Sequence, residues 1–86
     1  MKISEIERQQ GRLQPAREQL LTCLSTFRAL GETVGSAHVL RNLAEISAVE
    51  GDRQAALAYF EECRSLYTQL GYDRRRIEVE RRLLVV

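Results

Sequence analysis

The chain has 86 residues, 44% of them apolar, enough for one small domain that buries roughly 60 to 65% of its unfolded surface. Thirteen basic and twelve acidic residues leave a formal charge of +1, which excludes a global field for attracting nucleic acid or an anionic membrane. The start, MKISEIERQQ, lacks the apolar run of a signal peptide, and the longest apolar stretch, Ala55 to Phe60, is too short to span a bilayer; the expectation is a soluble cytoplasmic protein.

In chain order, five helices are predicted, near 2–10, 14–30, 33–50, 53–70 and 73–85. Gly11 is read as the turn after the first, and Pro15 suits the first turn of the second. Ala16, Leu20, Cys23, Phe27 and Leu30 then recur at steps of four and three, marking one buried stripe. Gly31 closes that segment, because only glycine enters the left-handed helix-ending conformation without a Cβ penalty. Thr33 is a candidate N-cap for the third helix, Gly35 falls in its first turn, and Ala37, Leu40, Leu43, Ala44 and Ser47 form its stripe, widened by Val39, Ile46 and Val49. Gly51 and Asp52 supply a turn and a cap; Ala56, Phe60, Cys63, Tyr67 and Leu70 repeat the earlier spacing; Gly71 ends that segment and Asp73 is a candidate N-cap for the last helix. No strand pattern competes.

The chain repeats itself at an offset of 40, with ten identities over the 36 ungapped pairs from 11/51 to 46/86. They include Gly11/Gly51, Ala16/Ala56, Cys23/Cys63, Leu30/Leu70, Gly31/Gly71, Arg41/Arg81 and Leu43/Leu83. Such a period signals stacked supersecondary units that bury a shared core. The paired cysteines are expected to be reduced, small, buried packing residues, because equivalent helices in a stack lie about 8 to 10 Å apart, beyond the Cα separation of a disulfide.

Leu40, Leu43, Ala44, Gly51, Asp52, Ala56, Phe60 and Cys63 fit the pattern of the tetratricopeptide repeat, which the chain resembles over nearly its whole length. Gly11, Ala16, Leu20 and Cys23 fit in the preceding repeat and Leu83 in the following one. Departures are Ser47 at a usual aromatic place, Leu84 at a small-residue place, and a period of 40 rather than roughly 34. The longer period and the recurring Leu-Gly are similar to the extended-repeat branch found in bacterial regulators. The resemblance implies an all-α, right-handed α-solenoid of antiparallel helix pairs, about five helices in a single domain over 1–86. It divides into a partial repeat (1–31), a complete repeat (33–71) and a lone final helix (73–86), the first helix of the first repeat being cut short.

In this family the first helix of each repeat lines a concave groove. The groove candidates carried over are His38, Arg41, Asn42, Glu45 and Val49, with Glu78, Arg81 and Arg82 after them and Glu5, Arg8 and Gln9 before. Some members clamp a partner's C-terminal carboxylate; Asn42 and Arg82 match that set, but Met1, Glu5 and Glu78 do not, and the two acids oppose an anion. The implied function is a non-enzymatic scaffold binding a peptide or helix of another protein, as part of a larger regulatory protein. The alternative is self-association, a homodimer through terminal helices, since Ile3, Ile6 and the closing Leu83-Leu84-Val85-Val86 are apolar ends of an array that needs polar caps.

Arginines 74, 75, 76, 81 and 82 are the one charge cluster, but Asp73, Glu78 and Glu80 interleave with them. The pairs Arg74–Glu78, Arg76–Glu80 and Glu78–Arg82 are spaced for intrahelical ion pairing, which favours a solvated helix face over nucleic-acid binding. A single histidine, His38, cannot furnish a metal cluster. Neither a base spaced to serve the cysteines nor a glycine-rich phosphate loop is present, so neither catalysis nor a cofactor is expected.

Overall fold

Three glycines set the chain's reversals. Gly31, Gly51 and Gly71 have φ of 70°, 81° and 74°, left-handed values that a side chain would strain. A computed structural model describes the backbone over residues 3–85 and the side chains over 14–85. It contains α1 (Ile3–Leu30), α2 (Thr33–Val49), α3 (Arg53–Leu70) and α4 (Asp73–Val85), with no strand among the described residues.

Four helices stand where five were expected, because the segments predicted near 2–10 and 14–30 are one continuous helix through Gly11 and Pro15. The contrast with Gly51 gives the reason. There Asp52 caps α3 by accepting a hydrogen bond from the Ala55 N–H at 3.1 Å. At the equivalent places stand Arg12, which has no acceptor, and Pro15, which has no N–H to be capped. The reversal after Gly11 therefore lacks its start signal. Continuity has a local cost, since interior glycine and proline disfavour a helix by about 1 and about 3 kcal/mol relative to alanine. Pro15 also leaves the carbonyl of residue 11 without its helical donor.

The other predicted caps differ as well. Glu32, not Thr33, occupies the N-cap of α2, without a side-chain cap bond; the Ser36 hydroxyl donates to the Glu32 carbonyl at 2.9 Å. Asp73 lies inside the first turn of α4, where its charge suits the helix dipole.

Each helix packs on the next in sequence, α1 on α2, α2 on α3 and α3 on α4. Ion pairs join alternate helices: Arg28 with Glu62 links α1 to α3, and Arg41–Glu78 with Arg82–Glu45 links α2 to α4. The result is two layers of helices, the arrangement of a helical repeat.

The core follows the predicted stripes of α2 and α3. Ala37, Leu40, Leu43, Ala44, Ala56, Phe60, Cys63 and Tyr67 are fully buried, Ser47 nearly so, and Val79 joins them from α4. At the α1–α2 crossing a Cβ on Gly35 would sit 2.9 Å from the Phe27 ring, so this glycine allows the close approach of the two helices.

The predicted stripe of α1 is corrected. Leu24, one position away from Cys23, is the buried residue among those of α1 whose side chains are described; Leu20 and Phe27 are half-buried against the core, and Leu30 is 70% exposed. Cys23 is exposed, contrary to the expectation that both cysteines pack inside, whereas Cys63 is buried and both are free. The physical reason is a thinner set of neighbours: α3 lies between α2 and α4, while α1 packs chiefly on α2 and meets α3 through Arg28 and Glu62.

Candidate functional site

The predicted groove residues lie on α2 and α4, and the structure spends most of their charge internally. The Arg82 guanidinium donates two hydrogen bonds to the Glu45 carboxylate, Nε to Oε1 at 2.8 Å and a terminal nitrogen to Oε2 at 2.9 Å. Its plane also lies 5.6 Å from the Phe60 ring centroid, so the side chain is held between a carboxylate and an aromatic face. Arg41 approaches Glu78 at 3.7 Å. Of the three pairs predicted within α4, Arg76–Glu80 forms at 2.8 Å, while Glu78 and Arg82 turn across to α2.

With Glu78 and Arg82 engaged this way, the partial match to a carboxylate clamp loses its only arginine as a free ligand. Besides the paired Glu78, the exposed groove candidates on α2 and α4 are Asn42, Val49 and Arg81. Glu5, Arg8, Gln9 and Met1 lie outside the residues whose side chains are described.

His38 is tied to α3. Its Nδ1 lies 3.2 Å from the Tyr67 hydroxyl, and the two rings meet edge to face at 6.0 Å. Burial, then the positive charges of Arg75 and Arg41, lower the His38 pKa, which favours the neutral ring beside the Tyr67 hydroxyl. Burial also raises the Tyr67 pKa and pushes the Cys63 thiol up to about 11, where it donates to the Ala37 carbonyl at 3.3 Å. A thiol held in that state is a poor nucleophile.

Sequence reasoning missed the aromatic end of this face. Tyr72 stacks on Tyr67 at 6.2 Å, and with Asp73, Arg74, Arg75 and Glu78 it lines an open hollow of about 510 Å³. The signal was present as a break in the repeat: Tyr72 stands where the previous unit has Glu32, and Tyr67 adds a hydroxyl to the place of Phe27. A second hollow, about 430 Å³, opens between Ala16, Leu20 and Cys23 of α1 and Asn42, Glu45 and Ile46 of α2, so two of the groove candidates line it.

Among the described residues no cluster of His, Cys, Asp and Glu could hold a metal ion, and no helix is long and apolar enough to cross a membrane. Compared with known families, residues 1–75 match the sequence model of the tetratricopeptide repeat. Comparisons with curated proteins and with solved structures returned no match.

Proposed function

The chain belongs to the tetratricopeptide-repeat family, whose repeats mediate protein–protein interaction, and from that premise we propose that it is a non-enzymatic scaffold receiving a peptide or helix of another protein on its α2–α4 face. The observation that carries this reading is the juxtaposition of α2 and α4 through Arg82–Glu45 and Arg41–Glu78. These pairs fix the face in place, while Asn42, Val49 and Arg81 stay open and Tyr72 with its neighbours forms a hollow at one end. An apolar contact at Val49, an amide at Asn42 and a cation at Arg81 suit an extended or helical segment carrying at least one acidic side chain. Such a scaffold serves as one module of a larger regulatory protein.

The test is selection of a displayed peptide library on the chain, followed by titration of the enriched peptides. Asn42→Ala combined with Arg81→Ala is expected to weaken them at least about tenfold, close to 1.4 kcal/mol, with helicity unchanged. Equal affinity for the variant would refute the assignment of this face.

A second reading, self-association through terminal helices, is favoured by the exposure of Leu84 at 86% and Val85 at 72% at the end of α4, together with the open flank of α1.

A further inference from the structure

The open flank of α1 has an occupant written into the repeat. Under the offset of 40, Ile3, Ser4, Ile6 and Gly11 stand where Leu43, Ala44, Ile46 and Gly51 stand. In the complete repeat, Leu43, Ala44 and Ile46 are buried as α2 turns back at Gly51 and packs on α3, whose Ala56, Phe60 and Cys63 are buried with them. The counterparts of those three residues are Ala16, Leu20 and Cys23, which line the hollow of about 430 Å³ with Ile46. Residues 3–10 therefore carry the pattern of the last two turns of the helix that this hollow lacks.

That segment cannot reach the hollow of its own chain, because α1 continues as one helix through Gly11 and carries it away along the helix axis. We propose that residues 3–10 dock in the α1–α2 hollow of a second copy, giving a domain-swapped homodimer in which the two α1 helices run antiparallel across a twofold axis near Gly11. Antiparallel packing on the partner's residues 16–23 reproduces the relation of α2 to α3. Twofold symmetry closes the assembly, since each chain gives one arm and receives one.

The hinge is where such an exchange needs it. Gly11 and Pro15 weaken the helix at the point where the offset places a reversal, and the missing cap at Arg12 tips the segment toward the straight form. This inference deepens the self-association reading but uses α1 rather than the end of α4. It shares Asn42 with the proposed peptide face, since Asn42 lines the hollow; the two are told apart because Leu20→Glu removes the dimer and Arg81→Ala weakens only the peptide.

Sedimentation velocity of the 86-residue chain across the micromolar range is expected to show a reversible dimer. Ile3→Glu with Ile6→Glu in the arm, and separately Leu20→Glu in the hollow, are expected to weaken it at least about tenfold while helicity is retained. A Gly-Gly-Ser insertion between Gly11 and Arg12 lets each arm fold back on its own chain and is expected to give a folded monomer. Gly11→Ala, which favours the straight helix, is expected to tighten the dimer roughly threefold or more. A monomer throughout that range overturns the proposal, as does a dimer indifferent to the arm charges and the insertion. A dimer abolished by Leu84→Glu with Val85→Glu but not by the arm variants overturns it in favour of contact through α4.

Discussion

α1 and α3 carry the same helical spacing of small and large apolar residues and reach opposite fates. Phe60 and Cys63 are fully buried; their counterparts Leu20 and Cys23 are half-buried and exposed. The two stripes share their spacing and not their neighbours, since α2 and α4 flank α3 while α1 packs chiefly on α2 and meets α3 through Arg28 and Glu62. An apolar stripe states a capacity for burial, and the stack decides how much of it is used.

The largest test of this contrast is Phe60→Ala against Leu20→Ala. The first removes a fully buried ring from the main core and should cost about 3 to 5 kcal/mol, a large share of the roughly 4 to 13 kcal/mol expected for a chain this size. The second should cost less than about half as much, because the Leu20 side lies open. Urea denaturation of each variant measures both, and equal losses would mean that the flank of α1 is covered in solution.

Next in size is the cap. Asp52→Ala should cost about 1 kcal/mol by leaving the Ala55 N–H without its acceptor. The reciprocal change Arg12→Asp supplies a cap at the first repeat, accepting from the Gln14 N–H while Pro15 still disfavours the continuous helix, and should break α1 near Gly11, read as faster amide exchange over residues 11–14. Exchange that stays slow there would show that capping does not decide between one helix and two.

The cysteines sharpen the comparison without altering the fold. Cys23 should react with a maleimide in the native state, whereas Cys63, buried and with its thiol pKa pushed up to about 11, should react only on unfolding. Mass spectrometry after brief labelling distinguishes them, and comparable rates would contradict the burial difference.

The smallest effect concerns His38, whose Tyr67 partner has only Phe27 as its counterpart in α1. Its pKa is lower in the folded chain than the unfolded value of 6.5, chiefly through burial, so the unfolded state binds more protons as the medium acidifies. This contribution is fully present above pH 6.5 and is lost as the pH falls through the unfolded and then the folded pKa. A melting temperature that declines on acidification in the wild type and declines less in His38→Gln is the expected result. Identical slopes would remove His38 as a cause.

Much of the architecture was legible in the amino-acid order. Gly31, Gly51 and Gly71 marked the reversals, the stripes of α2 and α3 identified the core, and the offset of 40 identified the repeat. Gly11 misled because a glycine permits a reversal without compelling one; the compulsion at Gly51 comes from Asp52 and a donor three residues on, and Arg12 and Pro15 supply neither. Of the proposed site, the placement of its candidate residues on α2 and α4 was legible from the repeat. Their pairing was not, because Glu78 and Arg82 have equally spaced partners within α4, and only the neighbouring helix draws them to Arg41 and Glu45.

The sequence by itself determined a helical repeat, its period, its left-handed turns and the central core, since these rest on backbone freedom and apolar spacing along one chain. The tertiary structure decided which of the equally spaced stripes are buried and which charges are spent, because burial and ion pairing depend on what lies across the interface, and on one side of α1 that place stands open.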